Sequence, residues 1–237
     1  MYGWRGRIGV IVPSSNTTME PELWRMAPEG ISIHTSRIIL SEVTVESLTE
    51  LSKDVARASR ELSTIEPDVI LFGCTSGSLI GGVEWERSLR EEIKRVSGII
   101  SITTAQAVIE ALKTLGAREI VVATPYIEEI NERERRFLED QGFRVLRIKG
   151  LGIRKNTEIG RLPPWTAYRL ALEAIRDLRA DALFISCTNF RTIEIIEALE
   201  SRLGIPVISS NTASMWLALR SIGVKDRIPY GRLLREY

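Results

Sequence analysis

The 237-residue chain lacks most of the usual catalytic apparatus: it has one histidine, His34, and two cysteines, Cys74 and Cys187. A lone histidine inside a strand pattern leaves no Ser-His-Asp arrangement to build, and a four-ligand zinc site cannot be assembled from two thiols and one imidazole. No GxGxxG follows the first strand pattern and no P-loop is present, so a nucleotide cofactor is not expected. Charge of one sign is also missing. The 32 Lys and Arg residues nearly balance 31 Asp and Glu, for a net charge of +1. With the two signs interspersed, there is no basic footprint for nucleic acid or an acidic membrane. Long apolar runs are absent as well: the stretch Ile8 to Val12 stops at Pro13, too short for a membrane span or the apolar core of a signal peptide. These absences lead to the expectation of a cytoplasmic protein with no metal, nucleic-acid or membrane partner. Asn and Gln are scarce and Arg outnumbers Lys, a lean toward a thermophilic source or a GC-rich genome.

What is present is alternation. Strand patterns fall at Arg7 to Val12, Ile31 to Ile39, Asp68 to Phe72, Gly98 to Ile102, Glu119 to Ala123, Phe143 to Ile148, Ala182 to Ile185 and Pro206 to Ser209. Between them, helical periods run over Val45 to Leu62, Glu84 to Val96, Thr104 to Leu115, Ile127 to Gln141, Pro164 to Leu178, Thr192 to Leu203 and Thr212 to Ser221. Gly116, Gly142 and Gly204 sit where left-handed helix caps are expected. Uninterrupted apolar strands separated by helices predict an α/β fold with parallel sheets covered on both faces. The halves also repeat. Arg7 to Pro13 matches Arg118 to Pro125, the two cysteine strands match, and Ile100 to Ala105 matches Val207 to Ala213. Two pseudo-symmetric, doubly wound (Rossmann-like) lobes are therefore expected, with the site in the cleft between them. The first comprises residues 1–100 plus 211–237 and carries Cys74; the second comprises 101–210 and carries Cys187.

Each cysteine closes a buried strand pattern, in Val69-Ile70-Leu71-Phe72-Gly73-Cys74-Thr75-Ser76 and in Leu183-Phe184-Ile185-Ser186-Cys187-Thr188-Asn189. The carboxyl ends of parallel strands are where open α/β sheets hold ligands. A disulfide has little reason to exist in a chain long enough to bury a large core, and although a buried thiol is often only a small hydrophobe, matching context in both halves favours chemistry. A following helix N-terminus is expected to favour the thiolate. Donors crowd the same edge: Ser14, Ser15, Asn16 and Thr17; Thr75, Ser76 and Ser78; Thr188 and Asn189; Ser209, Ser210 and Asn211. They suit helix caps and a bound carboxylate alike. Two opposed thiols can invert a carbon acid, or one can add to an activated double bond while the other protonates the neighbouring carbon.

Val12-Pro13-Ser14-Ser15-Asn16-Thr17-Thr18-Met19-Glu20, Gly73-Cys74-Thr75-Ser76, Pro125-Tyr126, Asn156-Thr157-Glu158-Ile159-Gly160-Arg161 and Ser186-Cys187-Thr188-Asn189 together resemble the maleate cis-trans isomerases of the Asp/Glu/hydantoin racemase superfamily. The resemblance spans nearly the whole chain. It implies two pseudo-symmetric lobes, no metal or nucleotide, Cys74 as nucleophile, Cys187 as the opposing acid and base, and Asn16, Tyr126 and Asn156 as holders of the substrate carboxylates. Glu158 and Arg161 are left to the scaffold. Arylmalonate decarboxylase is also similar but keeps only the second cysteine, so Cys74 argues against that activity. Glutamate and aspartate racemases show Cys-Asn-Thr and Cys-Thr-His, from which both cysteine turns here depart. The leading expectation is an isomerase of a small dicarboxylate such as maleate. The alternatives are a two-cysteine racemase or epimerase of aspartate, glutamate or a hydantoin, and a non-catalytic dicarboxylate-binding protein. A homodimer is the default assembly for such a domain.

Overall fold

The computed structural model describes residues 2–237; Met1, at the head of the N-terminal segment, lies outside the described residues. The strands are β1 (Gly6–Pro13), β2 (Ile31–Ile38), β3 (Val69–Phe72), β4 (Ile100–Thr103), β5 (Glu119–Thr124), β6 (Arg144–Gly150), β7 (Ala182–Ile185) and β8 (Val207–Ser209). The helices are α1 (Met19–Met26), α2 (Val45–Leu51), α3 (Val55–Ser63), α4 (Thr75–Leu79), α5 (Gly82–Ser97), α6 (Thr104–Thr114), α7 (Glu128–Asp140), α8 (Asn156–Gly160), α9 (Pro164–Ile175), α10 (Ile196–Leu203), α11 (Ser210–Ser221) and α12 (Arg232–Glu236).

Two four-stranded parallel sheets result, ordered β2-β1-β3-β4 and β6-β5-β7-β8. The identical order is the structural form of the internal repeat. The central strands β3 and β7, Val-Ile-Leu-Phe and Ala-Leu-Phe-Ile, are buried along their whole length, as a sheet covered on both faces requires. Even the caps repeat. Gly98 and Gly204 end α5 and α10 at φ 73° and 74°, and Thr103 and Ser209 accept the Gln106 and Thr212 amides at the starts of α6 and α11. Gly116 and Gly142 also take positive φ, as expected.

α6 and α11 pack against each other between the sheets, through small buried residues that include Ala107, Ala111, Ala213 and Ala218. β4 pairs with β3, so the first sheet runs to Thr103, three residues past the expected division at 100. The stretch 211–237 touches both lobes: α11 packs on β3, β4 and β8, Asp226 pairs with Arg5, and Glu200 of α10 accepts the Arg232 amide.

Two helices differ from their sequence pattern. The period over Val45 to Leu62 is broken by a 3-10 turn at Ser52–Asp54, where Thr49 and Ser52 hydroxyls donate to the Val45 and Thr49 carbonyls and compete with the helix ladder. The helix expected from Thr192 starts only at Ile196: the Ile195 amide closes a tighter turn on the Thr192 carbonyl ahead of it, and the Thr192 and Ile193 amides donate to the Glu22 carboxylate of α1. Among the described residues, no helix is long and apolar enough to cross a membrane.

Candidate active site

Strand ends bring the two thiols to one buried site. Cys74 caps α4 from extended backbone, and its sulfur accepts the Gly77 amide at 3.3 Å with the Ser76 hydroxyl 3.9 Å away. Cys187 is built differently. No helix follows it; it turns at φ 94°, a conformation that costs a non-glycine residue on the order of 1–3 kcal/mol and needs support from its surroundings. That support is visible: the Cys187 amide donates to Ser210 Oγ at 3.0 Å, the Phe190 amide donates to its carbonyl, and the Asn189 amide donates to its sulfur at 3.4 Å. The Tyr126 hydroxyl faces the Cys187 sulfur. Both cysteines are 4% exposed.

A hydrogen-bond network across the cleft fixes these positions. Asn16 Nδ2 donates to Thr188 Oγ1 at 3.0 Å, and that hydroxyl donates on to the Gly73 carbonyl beside Cys74. Thr75 Oγ1 donates to Ser210 Oγ at 2.8 Å, the same oxygen that accepts the Cys187 amide. Asn189 accepts the Thr17 amide and donates to the Asn156 carbonyl, while Asn156 Nδ2 donates to Ser15 Oγ. A strap closes the arrangement: the Val43 amide donates to the Arg154 carbonyl and the Asn156 amide to the Ser41 carbonyl, around an antiparallel bridge from Glu42 to Lys155.

The structure thus gathers Cys74, Cys187, Tyr126, Thr75 and Ser76 at the sulfurs, with Asn16, Asn156, Thr188 and Asn189 in the network joining the lobes. Ser14 is not brought in. It is exposed, and its hydroxyl accepts the Leu40 amide. Asn16 and Asn189 each have both ends of the amide committed to the framework, with one amide hydrogen outside the bonds described, whereas Asn156 also keeps its carbonyl oxygen outside them. His34 lies in β2 beside Ser32, away from both thiols.

Burial sets the electrostatics. It pushes the Cys74 thiol up to about 11, against the lowering effects of the Gly77 amide and Ser76. It pushes Cys187 up to about 12, against the Tyr126 hydroxyl and the Asn189 amide, with Cys74 and Glu134 adding repulsion. Burial therefore outweighs the helix end that was expected to favour the thiolate. One five-residue helix at Cys74, and none at Cys187, does not offset the loss of solvent.

Two acidic residues at the site were missed from the sequence. Glu22 of α1 accepts the Thr192 and Ile193 amides and Asn211 Nδ2, anchoring the Cys187 turn to the first lobe. Burial raises it to about 7. Glu134 of α7 is fully buried beside the Tyr126–Cys187 pair. Glu22 had one signal in the sequence, an acidic residue on the otherwise apolar face of α1 formed by Met19, Leu23 and Met26; Glu134, among the charged residues of α7, had none. Among the described residues, no group of three or more His, Cys, Asp and Glu side chains could hold a metal ion.

A two-lobed parallel α/β fold with one thiol on each wall of a shared cleft defines a class of cysteine-dependent, racemase-like proteins. The chain belongs to the arylmalonate decarboxylase family, whose model matches residues 8–234. It is 32% identical to the maleate isomerase of Nocardia farcinica, covering 97% of this chain and 96% of that protein. It is 31% identical to the arylmalonate decarboxylase of Bordetella bronchiseptica, with the same coverage. Among solved structures, the Nocardia farcinica maleate cis-trans isomerase, in a cysteine-to-serine mutant with a covalently bound succinylcysteine intermediate, superimposes with a TM-score of 0.91 at 30% identity. That match covers 98% of this chain and 99% of the other.

Proposed function

We propose that this protein is a cofactor-independent cis-trans isomerase that converts maleate, or a related cis-enedioate, to the trans isomer through a succinyl-cysteine intermediate. The observation that carries the reading is the pair of buried thiols in unequal settings: Cys74 on a helix cap, Cys187 on a strained turn under the Tyr126 hydroxyl. A racemase uses its two bases in mirrored fashion, and such unequal settings suit two different tasks.

The elements of an S–H group add across the alkene and later leave it. Cys74 sulfur bonds to one alkene carbon, Cys187 delivers a proton to the other, and the proton released by Cys74 replaces the one Cys187 gave up. The former double bond is now single and rotates. Cys187 then passes its proton back to the Cys74 sulfur as the carbon–sulfur bond breaks and takes up the proton from the neighbouring carbon, so both thiols are restored and the trans dicarboxylate leaves. No oxidant, reductant or co-reactant is required. Maleate is a reluctant acceptor because its carboxylates repel an incoming sulfur and donate into the alkene. Asn16, Tyr126, Asn156 and the strand-end amides, including those at Thr75 and Ser76, are the groups proposed to hold those carboxylates as charge moves onto oxygen. Thr188 and Asn189 act on the framework that aims them.

Proton NMR on maleate tests the activity directly. The Cys74→Ala protein should neither turn over nor form an adduct, and Cys187→Ser should leave a succinyl-type adduct on the Cys74 peptide, visible by intact-protein and peptide mass spectrometry. An adduct on Cys187 would reverse the roles. Conversion by the Cys74→Ala protein would refute covalent catalysis by Cys74.

A further inference from the structure

The mechanism above leaves Glu134 unused, although it is one of the most confined polar groups in the protein. The residue is fully buried, and neither carboxyl oxygen has a hydrogen-bond partner. The Ser186 hydroxyl, at the position before Cys187, is likewise buried and without a hydrogen-bond partner. One turn earlier on the same buried face of α7, Asn131 accepts the Thr124 hydroxyl and donates to the Tyr126 carbonyl. α7 therefore grips the backbone of Tyr126 with one residue and, on the same face, buries an unpartnered carboxyl close enough to the Tyr126–Cys187 pair for its charge to be felt there.

We propose that Glu134 is a positioning residue of this site: an un-ionised carboxyl held behind Tyr126 and Cys187, so that no further negative charge opposes the thiols while they exchange a proton over a dianionic substrate. The inference rests on the isomerase reading. Buried ionised carboxylates demand a partner, and one that has none keeps its proton.

No cation on the surrounding elements offsets Glu134. Arg133 of α7 reaches the Ile80 carbonyl and Glu129. On α5, Arg90 is closed on Glu86, which also accepts from Thr103, and Arg87 pairs with Glu84. On β6, Lys149 pairs with Glu173 and Arg147 binds the Ala174 and Arg176 carbonyls. α4 presents no charged side chain, only the Cys74 thiol at its cap. The titratable groups facing the carboxyl are thus Tyr126, Cys187 and, beyond them, Cys74. Burial pushes Glu134 up to about 8, so it is neutral at lower pH, and its charge appears above that value while both thiols are still protonated.

The test is E134Q, which is permanently neutral, compared with wild type in three readouts. In kcat/KM on maleate, the ratio of E134Q to wild type should climb as pH rises through about 8, by about tenfold for each pKa unit of coupling. In maleate-free alkylation, the pH midpoint for Cys187 should move down in E134Q relative to wild type. In infrared spectra of protein labelled with ¹³C-glutamate, wild type at neutral pH should show a protonated-carboxyl band that titrates near that value. Parallel pH profiles and an unmoved Cys187 midpoint would overturn the proposal, as would a folded E134Q inactive at every pH, which would make the carboxyl a proton carrier. Should E134Q fail to fold, the infrared titration of wild type decides alone, and absence of the band refutes it. The alkylation and infrared readings do not use maleate, so a protein inert toward maleate would count against the isomerase reading only.

Discussion

The ligand-free thiols should be poor nucleophiles toward small reagents, and the structure fixes by how much. Iodoacetamide reacts with thiolate, and Cys74 is held near 11 against an ordinary 9.0. Two units leave about a hundredfold less thiolate at neutral pH, while the greater intrinsic nucleophilicity of a high-pKa sulfur, with a Brønsted slope of about 0.4–0.5, restores up to about tenfold. The net rate is about tenfold below that of an exposed thiol, before any loss from occlusion. Cys187, near 12, should be slower again by about threefold on the same slope. Labelling should thus favour Cys74 modestly, keep rising with pH beyond 9, and be slowed by a bound dicarboxylate. Peptide mass spectrometry of timed quenches across pH measures all three. A Cys74 rate that equals free glutathione at pH 7, or that levels off between pH 8 and 9, would refute the argument that burial outweighs the Gly77 amide and the α4 terminus.

Three further outcomes are expected. Gly77→Ala places a Cβ 2.9 Å from the Cys74 sulfur; the sulfur has to shift, and turnover should fall well beyond any change in Tm, checked by NMR rates beside calorimetry. Tyr126→Phe removes the hydroxyl that faces Cys187 and should lower kcat by about a hundredfold or more; a change under threefold in a folded protein would exclude Tyr126 from the chemistry. Glu22 and Glu134 are raised to about 7 and about 8 in the folded chain from 4.5. Their stabilising effect is therefore complete below pH 4.5 and lost as pH rises through 7 to 8, at up to about 1.4 kcal/mol per pH unit for each group. Urea midpoints should fall over that window, and a flat profile would mean that neither carboxyl is perturbed.

Much of this protein is written locally. Strands such as Val69 to Phe72 and Ala182 to Ile185 have no polar face to offer, so they become the covered centres of parallel sheets wherever the chain places them, and the repeat in their order follows from the repeat in their sequence. Both cysteines, Thr75 and Ser76 were legible for the same reason, since a strand's carboxyl end is a fixed address in such a sheet. Other features depend on partners far away in the chain. The segment at Thr192 is held by Glu22, 170 residues earlier, which takes its amide. Ser14 turns outward to the Leu40 amide while its neighbour Asn16 turns inward to Thr188, a division that no local pattern carries. Glu134 sits among Glu128, Glu129, Glu132, Arg133, Arg135 and Arg136 and reads as part of a solvated helix face, yet α7 is covered by α4 and α5 and that one carboxyl is buried. The state of the thiols belongs to the same kind: sequence supplies the sulfur and the amides near it, but only the packed lobes remove the water, and desolvation is the larger effect.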